Sequence, residues 1–343
     1  MPADSSLTST PRPVELHDSS SGTMARGSEA RAPTAPPPSA RHWLLVGFML
    51  SAAGAMLFAI KGVLIKLIYV YPIDTVTLLA VRMALSLPAF AAVGLIEWRR
   101  RDVVERPGIG TLALAAAVGI LGYHVSSWLD FAGLRTLEAQ TERLILFTYP
   151  FLVILFGRLL FGHPLRAHAL AGAGLSYAGL IVMFGAEPTR MSQAMLGGAA
   201  LVAAAAATFA LYQLFARELI LSCGPALFTA VAMTAASATV IGQFLVTHSL
   251  NALDVPATAW SLMILLAIFA TIVPTFMMSA GTARIGAQGT AVISTLSPVV
   301  TSGLAIALLG EPFGWPEATG TMLVIGGVGL FSLLESRRPG PRR

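Results

Sequence analysis

Apolar residues along this chain fall into runs of about twenty, separated by short polar or charged stretches. Ten runs can be drawn, at roughly 43–63, 75–96, 110–130, 139–160, 167–186, 196–216, 226–247, 258–279, 287–309 and 316–334. A helix needs about 20 apolar residues to cross the hydrocarbon of a bilayer. Among open structures only a helix satisfies its backbone N–H and C=O groups within one segment there. The pattern predicts an all-α membrane protein with ten transmembrane helices.

The chain also repeats itself. Shifted by 148 residues without a gap, Tyr123–Gly185 meets Thr271–Leu333. Ala132-Gly133 falls on Ala280-Gly281, Ala139-Gln140 on Ala287-Gln288, and Pro150 on Pro298. Gly162-His163-Pro164 meets Gly310-Glu311-Pro312, while Gly172 and Gly179 meet Gly320 and Gly327. Matches at Gly and Pro carry the most weight because these residues fix backbone geometry. Two copies of five helices follow. An odd number of crossings makes the second copy enter from the opposite side, so the expectation is an inverted repeat, with residues 42–187 and 195–336 as the copies. Residues 1–41, rich in Ser, Pro, Ala and Thr, read as a disordered cytoplasmic tail without a signal-peptide core. Met24 offers a second candidate start, and 337–343 read as a short basic tail.

Composition and charge narrow the class. Of 343 residues, 55% are hydrophobic and 11% charged, against about a quarter charged in soluble domains, and mean hydropathy is +0.75. The single cysteine excludes an internal disulfide. The net charge of +5 reflects basic loops on one side rather than a nucleic-acid partner. With the N-terminus cytoplasmic, most of the 22 Lys and Arg lie inside. The exceptions are Lys61, Lys66, Arg82, Arg135, Arg143 and Arg190, placed in helices or outside. Both termini are therefore expected in the cytoplasm, with the chain multi-pass in the inner (plasma) membrane. No Gly-rich phosphate loop, paired-His metal motif or nucleophile elbow is present, so no cofactor or metal is expected.

Charges within apolar runs cost about 3 kcal/mol each on insertion scales and usually face a cavity or one another. Lys61, Arg82, Asp130, Glu138, Glu142 and Arg143 cluster in the outer half of the first copy. Arg82 is expected to pair with Glu142 or Asp130, as an outer gate, a charged-group site or a structural ion pair. Lys66 and Arg143 fit snorkelling at the interface best. Helical spacing puts Glu138, Glu142, Ile145 and Tyr149 on one face, and Thr290, Ser294, Ser297 and Thr301 on one face of the second copy. Tyr123, Ser127 and Asp130 form a further stripe, with counterparts Thr271, Thr275 and Met278. These stripes either line one central cavity or make interhelical hydrogen bonds, each worth about 0.6 kcal/mol. Tyr212 and Gln213 are candidate cavity residues. Pro150 and Pro298 free the carbonyls of Leu146 and Ser294, to act as hinges, as substrate or ion ligands, or both. His124 reads as a proton relay or a packing residue. Trp128 and Trp260 read as anchors or packing, and the glycines as close packing within the chain or at a homodimer contact.

Two five-helix copies resemble the EamA-type transporters of the drug/metabolite transporter superfamily. The residues that carry the likeness are Ala59-Ile60-Lys61 through Lys66, Arg82, Ala139-Gln140, Ala287-Gln288 and Gly310-Glu311-Pro312, and it covers about 43–336. His163 stands in the first copy where the second has Glu311. The resemblance implies a secondary transporter of small polar metabolites working by alternating access, with amino acids or related compounds and export first. The lipid bilayer and a small-molecule substrate would be its partners, and a coupling proton would travel on Glu142 or Asp130. A membrane-embedded enzyme would need a nucleophile, base or metal constellation, for which only Glu138, Glu142 and His124 offer themselves. A non-transporting sensor or assembly subunit would favour a large soluble module, and none is visible in the sequence.

Overall fold

The computed structural model describes residues 38–102, 106–162, 167–185, 192–294 and 296–336. Residues 1–37 of the tail expected over 1–41, and the expected tail 337–343, lie outside these, as do His163, Pro164, Arg166 and Arg190; residues 38–41 are helical and open the first helix rather than ending a disordered tail. Helices account for nearly all of the described chain, and no strand occurs among the described residues. In order they are α1 (Pro38–Ile68), α2 (Thr75–Arg99), α3 (Ile109–Gly119), α4 (Ser126–Gly133), α5 (Ala139–Leu146), α6 (Tyr149–Phe161) and α7 (Ala167–Gly185). They continue as α8 (Gln193–Cys223), α9 (Pro225–Thr247), α10 (Ala257–Ala267), α11 (Val273–Ser294), α12 (Ser297–Leu304) and α13 (Trp315–Ser336). Among the described residues eight helical stretches are long and apolar enough to cross a membrane, and Leu170–Gly185 and Ser297–Leu309 are shorter apolar helices.

The expected run 139–160 is not one rod. Phe147 and Thr148 form a turn between α5 and α6, and the Thr148 hydroxyl donates to the Ile145 carbonyl at 2.7 Å. Pro150 therefore sits in the first turn of a new helix, where its missing N–H is harmless. Pro298 occupies the same place in α12. Wide π turns join α3 to α4 (Ile120–Val125) and α10 to α11 (Ile268–Ile272), starting 148 residues apart. Gly162 and Gly310, also 148 apart, both take positive φ (70° and 65°) and close the helices before them, a conformation that costs glycine nothing.

The run between 258 and 309 shows a second departure. Helical backbone continues through 280–286, where the sequence suggests a loop. The Thr282 hydroxyl nevertheless reaches Thr290 at 3.0 Å, although eight residues of straight helix span about 12 Å. The axis therefore doubles back. Its contacts with α1 agree. Gly47, Ser51 and Gly54 lie against Arg284, Gly281 and Met278 in antiparallel order. Ser51 and Ala59 then meet Thr290 and Thr301 in parallel order.

Packing follows the small residues. A Cβ on Gly172 would lie 2.7 Å from the Gly327 carbonyl, and one on Gly179 would lie 2.7 Å from that of Gly320. α7 and α13 thus run antiparallel, with each glycine against the counterpart of the other. The Ser176 hydroxyl donates to Val324 O between them at 3.2 Å. These glycines pack within the chain. The largest apolar cluster joins α1, α2, α4, α9 and α10 around Ile65, Leu79, Phe131 and Met263. Trp43, Met49, Leu159 and Met322 are among the large apolar side chains that face outward, as suits a protein solvated by lipid.

Candidate functional site

Short helices and π turns bring the polar residues of distant segments to one cavity of about 410 Å³. At its walls stand Lys61 of α1, Arg82 of α2, Asp130 of α4 and Arg143 of α5. Facing them are Thr275 and Ser279 of α11, Ser294 at its end and Ser297 of α12. Leu146 and Ser294, the last residues of α5 and α11, both line it; because Pro150 and Pro298 open new helices, they do not break a continuous one as the sequence suggests.

An ion cluster holds the first wall. The Lys61 ammonium lies 2.5 Å from Asp130 and 3.4 Å from Glu142, whose side chain is fully buried. Gly62 leaves room for that carboxylate, since a Cβ there would sit 3.2 Å from Glu142 Oε2. The expected pairing of Arg82 with an acid is corrected. Among the described residues Arg82 makes no ion pair. Its Nε donates to the Thr271 hydroxyl at 2.8 Å, its guanidinium lies over Phe131 at 5.1 Å, and its Nη1 is buried without a partner. Lys61, one helix over, takes both acids. The Thr271 hydroxyl reaches the Leu266 carbonyl five residues back at 3.2 Å, which the π turn allows.

Two basic residues read as snorkelling act otherwise. Arg143 donates to the Ser297 hydroxyl across the cavity. The break after Leu146 makes α5 a two-turn helix whose side chains point inward, which a continuous helix reading misses. Lys66 donates to the Leu137 carbonyl at 2.9 Å and caps the loop after α4.

Tyr123, Ser127, Tyr149, Tyr212, Thr271, Thr275, Ser294 and Ser297 line the cavity. The Tyr212 hydroxyl donates to that of Tyr123 at 3.0 Å. Three expected site residues do not line it. Glu142 lies behind Lys61. Thr290 bonds Thr282 and Ser51, tying α11 to α1. Glu138 sits half-buried beside Gln140, whose side-chain amide donates to it at 3.4 Å. Burial there raises its carboxyl above the usual range, although the Gln140 amide works against the shift. Thr301, on the same stripe, donates to Ala59 O at 2.9 Å. His124 does not line the cavity; its nitrogens lie 3.0 Å from Thr239 and 2.7 Å from Gln243. Trp128 and Trp260 pack on the main apolar cluster.

One contact was invisible beforehand. Glu311 accepts from the backbone N–H groups of Ala139 (2.6 Å) and Gln140 (3.2 Å), capping α5, and Gln140 donates back to the Pro312 carbonyl at 2.7 Å. An acid at a helix N-terminus satisfies donors the helix leaves free. The only sequence signal was the Gly-Glu-Pro triplet itself.

Comparison with known proteins then gives a family. The profile of the EamA-like transporter family matches residues 45–185 and 196–333. A Bacillus subtilis (strain 168) protein described as the uncharacterized transporter YcbK is 28% identical over 272 residues, covering 78% of this chain and 86% of that protein. A solved structure described only as a crystal structure of a protein superposes with a TM-score of 0.55 at 20% identity, covering 88% of this chain and 99% of that one. That last likeness speaks to the fold alone.

Proposed function

Because this chain belongs to the EamA-like transporter family, and is thus a membrane transporter rather than an enzyme, we propose that it is a secondary transporter of small polar metabolites. In this reading it crosses the inner membrane ten times, as two inverted five-helix copies with both termini in the cytoplasm. The copies rock about the cavity and open it to alternate sides. The family resemblance points first to amino acids and related compounds, moved outward.

One observation carries the proposal. The cavity draws its polar lining from both halves of the chain, with Lys61, Arg82 and Asp130 on one side and Thr275, Ser294 and Ser297 on the other. Its size suits a small molecule. The reciprocal glycine contacts of α7 and α13, and the π turns 148 residues apart, support an inverted arrangement. Asp130 and Glu142 share one ammonium, which leaves a second acid for a coupling proton.

Purified protein in liposomes tests this. We expect uptake or counterflow of a metabolite dependent on the protein and accelerated by a pH gradient. Absence of flux for every solute across a broad metabolite screen, from protein that still unfolds cooperatively, would instead favour a non-transporting sensor or assembly subunit.

A further inference from the structure

Charge in the cavity is unbalanced in a particular way. Three cations line it, Lys61, Arg82 and Arg143. The acids within reach, Asp130 and Glu142, are both drawn to Lys61. Arg82 is only 6% exposed, with Nη1 buried and unpartnered and no ion pair among the described residues. A buried cation whose nearest acid, Asp130, is paired with Lys61 instead is costly, and an anionic ligand on its free Nη1 would lower that cost. An ammonium group, by contrast, would compete with Lys61 for Asp130 and Glu142 in a cavity that three cations already line.

The wall beside Arg82 is aromatic. Tyr149 lies edge-on to Phe209 at 5.1 Å, Phe209 stacks on Tyr212 at 5.4 Å, and Tyr212 meets Tyr123 edge-on at 5.1 Å. All four rings line the cavity. Such a row offers ring faces and edges to a planar apolar body, at the spacings aromatic pairs prefer.

We propose that the cavity binds a monoanion with an aromatic body, its carboxylate on Arg82 and its ring against the Tyr149–Phe209–Tyr212–Tyr123 wall, and that it disfavours the corresponding zwitterion. This rests on the reading of the cavity as the cargo site and narrows that cargo to acids lacking an ammonium group. Thr271 holds Arg82 in place through its hydroxyl and is a positioning residue.

The test uses the full chain in detergent, with binding read by titration calorimetry. The probes are phenylacetate, phenylacetamide, phenylalanine and acetate. Phenylacetate should bind at least about tenfold tighter than each of the other three, because a buried charged donor left unpaired penalises ligands that fail to match it. Arg82→Gln should erase the preference for the acid over the amide, and Thr271→Val should weaken phenylacetate several-fold while leaving the amide unchanged. The ligand series on the unaltered protein decides the matter even if Arg82→Gln fails to fold. No binding of phenylacetate, or equal or tighter binding of the amide or phenylalanine, overturns the inference. Flux separates it from the reading beneath. Liposomal transport of phenylalanine with no binding of phenylacetate would uphold a transporter and sink this proposal. Selective phenylacetate binding with no flux of any solute would do the reverse.

Discussion

Asp130 and Met278, 148 residues apart, both line the cavity, and so do Tyr149 and Ser297. Around the first member of each pair the protein places charge: Lys61, Asp130, Glu142 and Arg143. Around the second it places hydroxyls that mostly satisfy themselves on their own helix. The Thr275 hydroxyl donates to Thr271 O at 2.6 Å, and that of Ser294 to Thr290 O at 2.9 Å. Charged partners deep in a protein must all be present, since removing one strands the rest. Hydroxyls bonded to their own backbone can let go and re-form at little cost. One wall is thus electrostatically fixed and the other compliant, although they occupy equivalent places in the chain.

Lys61→Met should break this contrast most severely. It strands Asp130 and Glu142, and we expect a loss of about 3–5 kcal/mol in chemical denaturation together with loss of flux. Adding Asp130→Asn and Glu142→Gln to that variant should restore most of the stability without restoring flux. Ser294→Ala on the opposite wall should leave the denaturation midpoint within about 0.5 kcal/mol of the parent. Glu311→Ala removes the second half's hold on α5. We expect about 2–3 kcal/mol from the lost charge-assisted bonds and faster amide exchange at Ala139 and Gln140 than elsewhere in α5. Gly172→Ala forces a methyl against the Gly327 carbonyl and should cost about 1–3 kcal/mol. Gly174→Ala, with nothing within 4 Å of its added methyl, should be neutral or slightly stabilising by thermal denaturation. Thr301→Val loses one interhelical bond to Ala59 O, worth about 0.6 kcal/mol, and flux should be unchanged.

Much of the architecture was written in the order of apolar runs and in repeated glycines and prolines, because lipid imposes length and close packing imposes small residues. Most of the expected cavity residues also arrive there, since helical periodicity fixes which side chains share a face. Partner choice was less legible. Lys61 meets Asp130 and Glu142 from 69 and 81 residues away, and nothing local distinguishes it from Arg82. Thr290 and Thr301 lie on the expected stripe yet turn to α1, because periodicity gives a face and not the neighbour it meets. Arg143 reads as an interface residue in the sequence because the turn at Phe147–Thr148, which sets the depth of α5, leaves only Pro150 as a trace. Glu311 was hidden by distance, its target lying 172 residues earlier.

The crossing of α7 and α13 would limit how the halves move in the proposed rocking. Two backbones touching at Gly172–Gly327 and again at Gly179–Gly320 resist sliding, because a shift of one residue would drive side chains into carbonyl oxygens. Swivelling about the line through both touch points keeps those distances. In the rocking motion proposed above the glycine seam would therefore act as an axle, and it should be the least displaced part of the molecule.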